Sequence, residues 1–280
     1  MDNRYFNEEQ FINQFGREMV VASDVYKQRS KTGIIEYAMA AFDFTFISDW
    51  QTKLESLGKF LAENYNYKIK DIIPLKDNTF ELNGDTTEFP VDENNLTYWA
   101  LDLYCKGYEF DCELVAYGAI SDTKDQRFPA MESVLFDYYF DLAMEAFDLQ
   151  NFGMAHVHLS TSIKINPGDP NAWYSRAIVK ENLRTWKAAR RDYDQAIKLA
   201  PDFVDAIVNR GANKDEQGEY DAAIQDYDLA IAIHSENGRA YFNRGNSKYN
   251  NSDSEGACRD WKKAKELGED DAQERIDEFC

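Results

Sequence analysis

Three histidines, His156, His158 and His234, are the only imidazoles in 280 residues, so metal binding or proton transfer would have to rest on them or on carboxylates. His156 and His158 stand two apart. On a helix that spacing points them in different directions, and they cannot share a metal ion as a pair four apart can. Packing or surface roles follow for each. The paired carboxylates Glu8-Glu9, Asp92-Glu93 and Asp270-Asp271 are expected in so acidic a chain and read as solvated faces or helix-start charges. The chain has no Gly-x-Ser-x-Gly elbow, no Walker-type phosphate loop and no His-Glu-x-x-His. Cys105, Cys112, Cys258 and Cys280 form no C-x-x-C pair, which predicts a reducing compartment and no structural zinc. No catalytic residue, metal or cofactor is therefore expected. An enzyme with an unrecognised acidic site is the alternative from that class.

The bulk properties narrow the partner. A formal charge of -20 leaves no basic footprint for phosphates, so direct nucleic-acid binding is not expected. The acidity suits a protein partner with basic segments, or serves solubility alone. No apolar run approaches membrane-spanning length, and the residues after Met1 lack the apolar core of a secretion signal. A cytoplasmic, bacterial protein without membrane contact is the expectation. With 44% apolar and 14% aromatic residues, the length allows two domains with ordinary cores.

The second half repeats every 34 residues, in copies 136–169, 170–203, 204–237 and 238–271. The eighth position reads Ala143, Ala177, Gly211, Gly245 and the twentieth Ala155, Ala189, Ala223, Ala257. Small residues there let two helices of a hairpin approach closely. Large groups recur at position 4 (Tyr139, Trp173, Ile207, Tyr241) and at position 24 (Leu159, Tyr193, Tyr227, Trp261), to fill the space between hairpins. Pro167 and Pro201 mark hairpin boundaries. This period and pattern resemble the tetratricopeptide repeat (TPR). The resemblance implies an all-α superhelical solenoid, closed here by a capping helix over 271–280.

The first half changes period. Residues 1–35 read as an amphipathic helix carrying Phe6, Phe11, Phe15 and Met19, followed by a polar connector from Ser23. From 36 to 121 the spacing predicts strand 41–47, a helix from Trp50, strands 67–73 and 78–83, a helix from about Asn95, and strand 108–117. That order is the ferredoxin-like split βαβ layout of an α+β domain. Residues 122–135 form the expected linker. The strand Asp43-Phe44-Thr45-Phe46-Ile47, the helix with Leu54 and Leu57, the helix around Trp99 and Asp102, and the segment Tyr108 to Gly118 resemble the regulators of ribonuclease activity B (RraB) over residues 42–118. Members of that family inhibit ribonuclease E by contact.

The TPR resemblance places positions 2, 5, 9 and 12 of each first helix on a groove. The groove residues expected to meet a partner are Phe140, Met144, Asn171, Tyr174, Ile178, Asp205, Val208, Arg239, Phe242 and Asn246. An apolar track flanked by carboxylates suits a peptide with basic and apolar groups. The expected role is a non-catalytic adaptor whose partner is a protein or peptide, a ribonuclease or its assembly being the candidate that the second resemblance implies. A general assembly scaffold is the alternative.

Overall fold

The computed structural model describes residues 4–31, 33, 35–119 and 127–280. They fall into two compact units, Met1–Pro167 and Gly168–Cys280. The division comes one hairpin later than the 122–135 stretch. Residues 122–126 of that stretch lie outside the described residues, and 133–135 form a 3-10 turn.

The first unit holds a small α/β region with two sheets. Its strands are β1 (Met39–Ala40), β2 (Phe42–Ser48), β3 (Lys68–Pro74), β4 (Phe80–Asp85), β5 (Phe89–Pro90) and β6 (Glu113–Ala119). The main sheet runs β3-β4-β2-β6 with every neighbour antiparallel, and β1 pairs β5 separately. In β2 the alternation sends Phe42, Phe44, Phe46 and Ser48 into the core and leaves Asp43 exposed on the other face. The helices are α1 (Glu8–Lys31), α2 (Gln51–Tyr65) and α3 (Glu93–Glu109). α2 buries Leu54, Leu57 and Leu61 at helical spacing and ends at Asn66, whose left-handed backbone returns its N–H to Leu61. Asp92 caps α3 by accepting from the Asn95 N–H at 2.7 Å.

Three boundaries differ from expectation. α1 continues to Lys31 through the stretch from Ser23 expected as a connector, where the Ser23 hydroxyl bonds to Glu93 of α3 and the Ser30 hydroxyl donates to the Tyr26 carbonyl. β4 runs through Gly84 and Asp85, which pair with Phe44 and Asp43 instead of ending the strand. The last strand begins at Glu113 rather than Tyr108, since α3 continues to Glu109 and Asp111 turns the chain with a φ of 57°. The Asp111 carboxylate then accepts the Tyr5 and Phe6 N–H groups, which brings Phe6 and Phe11 onto Tyr104 and Tyr108 of α3.

This unit also contains the first hairpin, α4 (Phe136–Asp148) and α5 (Phe152–Ile165). α5 lies on α3. His156 stacks on Tyr98 at 3.9 Å, and a Cβ on Gly153 would stand 3.0 Å from the Trp99 Cα and 3.1 Å from the Asp102 Cβ. The Tyr37 hydroxyl meets Thr161 at 2.8 Å, and Tyr65 donates to the Gln150 carbonyl at 2.8 Å.

The second unit is helical throughout: α6 (Pro170–Asn182), α7 (Trp186–Leu199), α8 (Val204–Asp215), α9 (Tyr220–Ile233), α10 (Gly238–Asn250), α11 (Ser254–Glu266) and α12 (Ala272–Phe279). Each pair of helices closes on a small-residue seam. Tyr193, Tyr227 and Trp261 fill the successive layers and are buried. A disulfide joins Cys258 to Cys280. Helix α12 folds back on α11 and carries the two cysteines, 22 residues apart, together; no local spacing announces that.

Candidate functional site

Of the first helices of the second unit, α6, α8 and α10, the first and the last start on a capping side chain, whereas α8 follows Phe203 without one. Asp169 accepts from the Asn171 and Ala172 N–H groups ahead of Pro170, and Asn237 accepts from Ala240. Gly211 and Gly245 then let the facing helix in: a Cβ at either would lie 2.7 Å from the Tyr227 ring or 2.6 Å from the Trp261 ring. Those rings reach across to the acids and amides of the first helices. Tyr193 donates to Glu181 and Tyr227 to Asp215, both at 2.8 Å, while the Trp261 indole donates to Asn246 at 3.0 Å.

The acids at position 12 are occupied from a second side. Asn213 of the next hairpin donates to Glu181 at 2.7 Å, and Ser247 donates to Asp215 at 2.8 Å. Burial pushes both carboxyls up, against the pull of these hydrogen bonds. They tie hairpin to hairpin before they can meet a ligand.

A periodic charge lattice, missed from the sequence, runs through the same helices. Arg176 and Lys180 meet Asp192, Arg210 and Lys214 meet Asp226, and Arg244 and Lys248 meet Asp260, at 2.7–2.8 Å. Arg210 and Arg244 also reach back to Asp194 and Asp228 of the preceding hairpin. The signal was legible as Arg, Lys and Asp at positions 7, 11 and 23 of three copies. Burial and the neighbouring Arg176 push the Lys180 ammonium down to about 8, despite its contact with Asp192.

The expected groove residues are dispersed. Phe140 and Met144 belong to α4 in the first unit, both half-buried, with Phe140 stacked on Phe136. In the second unit Asn171, Asp205 and Arg239 are exposed. Tyr174 packs on Phe203 at 4.9 Å and accepts from Asn209, which in turn touches Arg239, giving a polar row across three first helices. Ile178 and Phe242 are half-buried against the layers below. Val208 is 1% exposed among Ile207, Ala223 and Tyr227, so the apolar track is interrupted there.

Asn246 borders a cavity of about 440 Å³ that also receives Asp215, Glu216, Asn243, Tyr249 and Arg275. A second hollow of about 320 Å³ lies by Glu181, Trp186 and Asn213. Carboxylate, amide, aromatic and guanidinium groups together can bind a polar peptide; nothing in the set pairs a nucleophile with a base. Among the described residues, no three His, Cys, Asp or Glu side chains converge where a metal could sit, and no helix is long and apolar enough to cross a membrane.

Residues 216–252 match the family model of the TPR repeat. No curated protein matches the chain. Among solved structures, a crystal structure of MamA is 25% identical, with 49% of this chain and 81% of that chain covered and a TM-score of 0.46. MamA 41-end from Desulfovibrio magneticus RS-1 is 20% identical, with 52% and 84% covered and a TM-score of 0.49. YrrB, described as a TPR protein with an unusual peptide-binding site, is 17% identical, with 64% and 82% covered and a TM-score of 0.47.

Proposed function

We propose that this chain is a non-catalytic adaptor whose TPR-like hairpins hold a partner segment along α6, α8 and α10. The observation that carries the reading is the 440 Å³ cavity at Asn243, Asn246, Tyr249 and Arg275, continuous in sequence register with the exposed Asn171, Asp205 and Arg239. The α/β region is read as a ferredoxin-like, RraB-like domain that restrains a ribonuclease by contact in the cytoplasm. Its antiparallel strand order supports the layout, and the acidic composition supports a basic protein target. The working division is residues 36–121 for that domain and 136–271 for the four repeats.

The test is affinity purification of the tagged full-length protein beside an Arg239→Glu, Tyr249→Ala variant, both positions being exposed. A ribonuclease or its assembly recovered with the parent and lost from the variant is the expected result. Equal recovery by both would remove the helical face from the reading. A different assembly recovered by the parent and lost from the variant would leave a scaffold without a ribonuclease target.

A further inference from the structure

We propose that the outer edge of β6 accepts an extended, basic segment of a partner protein as an additional strand, laid beneath α1. A cavity of about 440 Å³ separates these elements in the first unit. One wall is a single helix face, Gln14, Arg17, Glu18 and Val21, at i, i+3, i+4 and i+7; the other is five consecutive residues of β6, Glu113 to Tyr117. Among the described residues β6 pairs with β2 alone, so its second edge turns backbone donors and acceptors toward that cavity. The two edges of the sheet are unlike. β3, at the far edge, carries Lys68, Lys70 and Pro74, which oppose strand addition. β6 has a bulge opposite Thr45 and Phe46 but contains neither Lys nor Pro. A strand entering here finds backbone on one side and a helix on the other, the arrangement strand addition uses.

The chemistry of the walls selects the occupant. The Glu18 carboxyl faces the Tyr117 hydroxyl across this cavity, and the Glu113 carboxyl faces Gln14, so both walls bring an acid to it. Burial pushes the Glu18 and Glu113 carboxyls up, and a lysine or arginine on the entering strand would restore their charge. Arg17 is the one cation in the lining. Val21 and Val115, 45% and 46% exposed, offer apolar contact to the alternate side chains. A second copy of this edge would set Glu18 and Glu113 against like charges in a chain of net charge -20, which disfavours self-pairing.

The experiment uses the full-length protein and three synthetic octapeptides: alternating Lys-Val, alternating Glu-Val, and the Lys-Val sequence with a central proline. Amide exchange is read across 113–117. The Lys-Val peptide should slow exchange there and bind ~10-fold more tightly than the Glu-Val peptide, and the proline version should lose the protection. Glu18→Gln combined with Glu113→Gln should erase the charge preference while slow exchange in α3 shows the fold intact. Val115→Lys, at an exposed position, should block binding. Equal binding of all three peptides, or protection confined to other segments, would overturn the proposal. So would protection of 113–117 that rises with protein concentration in the absence of peptide, which would assign the edge to a second copy.

Discussion

The first hairpin and the three that follow share a 34-residue register but are held together differently. At positions 7, 11 and 23 the later copies place arginine, lysine and aspartate, and every aspartate is buried beneath both cations. The first copy has Leu142, Ala146 and His158 at those positions. His158 is partly enclosed beside Tyr139, and burial pushes its imidazole down to about 4. At position 18, where Lys187, Asp221 and Glu255 are exposed, the first copy has Gly153, pressed on α3. The small residues at positions 8 and 20 make a hairpin in all four copies. What the second helix faces decides the rest: an aromatic layer of the α/β region for α5, a charge lattice shared with other repeats for α7, α9 and α11.

The largest test of that contrast is at position 23. Asp226→Asn should cost ~3 kcal/mol in urea unfolding of the second unit, because Arg210 and Lys214 lose the charge they share in a mostly buried site. His158→Asn in the first hairpin should cost ~1 kcal/mol. Equal losses would mean that the lattice is ornament and that apolar packing alone holds every hairpin. Next, Gly153→Lys, which gives the first copy the residue of the second, should cost ~1–3 kcal/mol by forcing α5 off α3. The matching Lys187→Asp, at an exposed position, should stay within ~0.5 kcal/mol.

A further test separates the two hairpin environments by pH. Asp102, fully buried beside α5, is pushed up by burial to about 7, against the pull of Lys106 and Tyr65. Its folded state favours the protonated form. That contribution is complete below the ordinary carboxyl value of 3.8 and is lost as pH rises through about 7. Asp102→Asn should therefore raise the Tm of the first unit by ~4 °C at pH 8 and by less at pH 5, read by differential scanning calorimetry. His158 has the opposite sign: its contribution is present above 6.5 and is lost as pH falls through about 4. A His158→Leu variant should flatten the acid limb alone.

Much of this was legible beforehand where one residue type has one physical use. Glycine or alanine at positions 8 and 20 predicts close helices, and the facing rings of Tyr227 and Trp261 are where that spacing requires. The alternation Phe42, Phe44, Phe46 predicts a one-sided strand, and β2 is one. What depended on contacts between distant segments was not legible. Asp111 stops a helix and anchors Tyr5 and Phe6 at once, a role invisible in its neighbours. The Cys258–Cys280 bridge requires α12 to turn back, and the submerged Val208 requires the layer below it. The period places position 12 on the groove but does not show that Glu181 and Asp215 there are already held by hydroxyl and amide donors of neighbouring helices.

The charge lattice is also a set of springs of two kinds. Within a hairpin each carboxylate is dry, with side-chain exposures of 5–7%, whereas the carboxylates that link one hairpin to the next, Asp194 and Asp228, are 53% and 56% exposed. Counterions reach the second kind and not the first. Salt should therefore leave each rung rigid while loosening the joints between rungs, so that the pitch of the helical stack in the second unit answers to ionic strength.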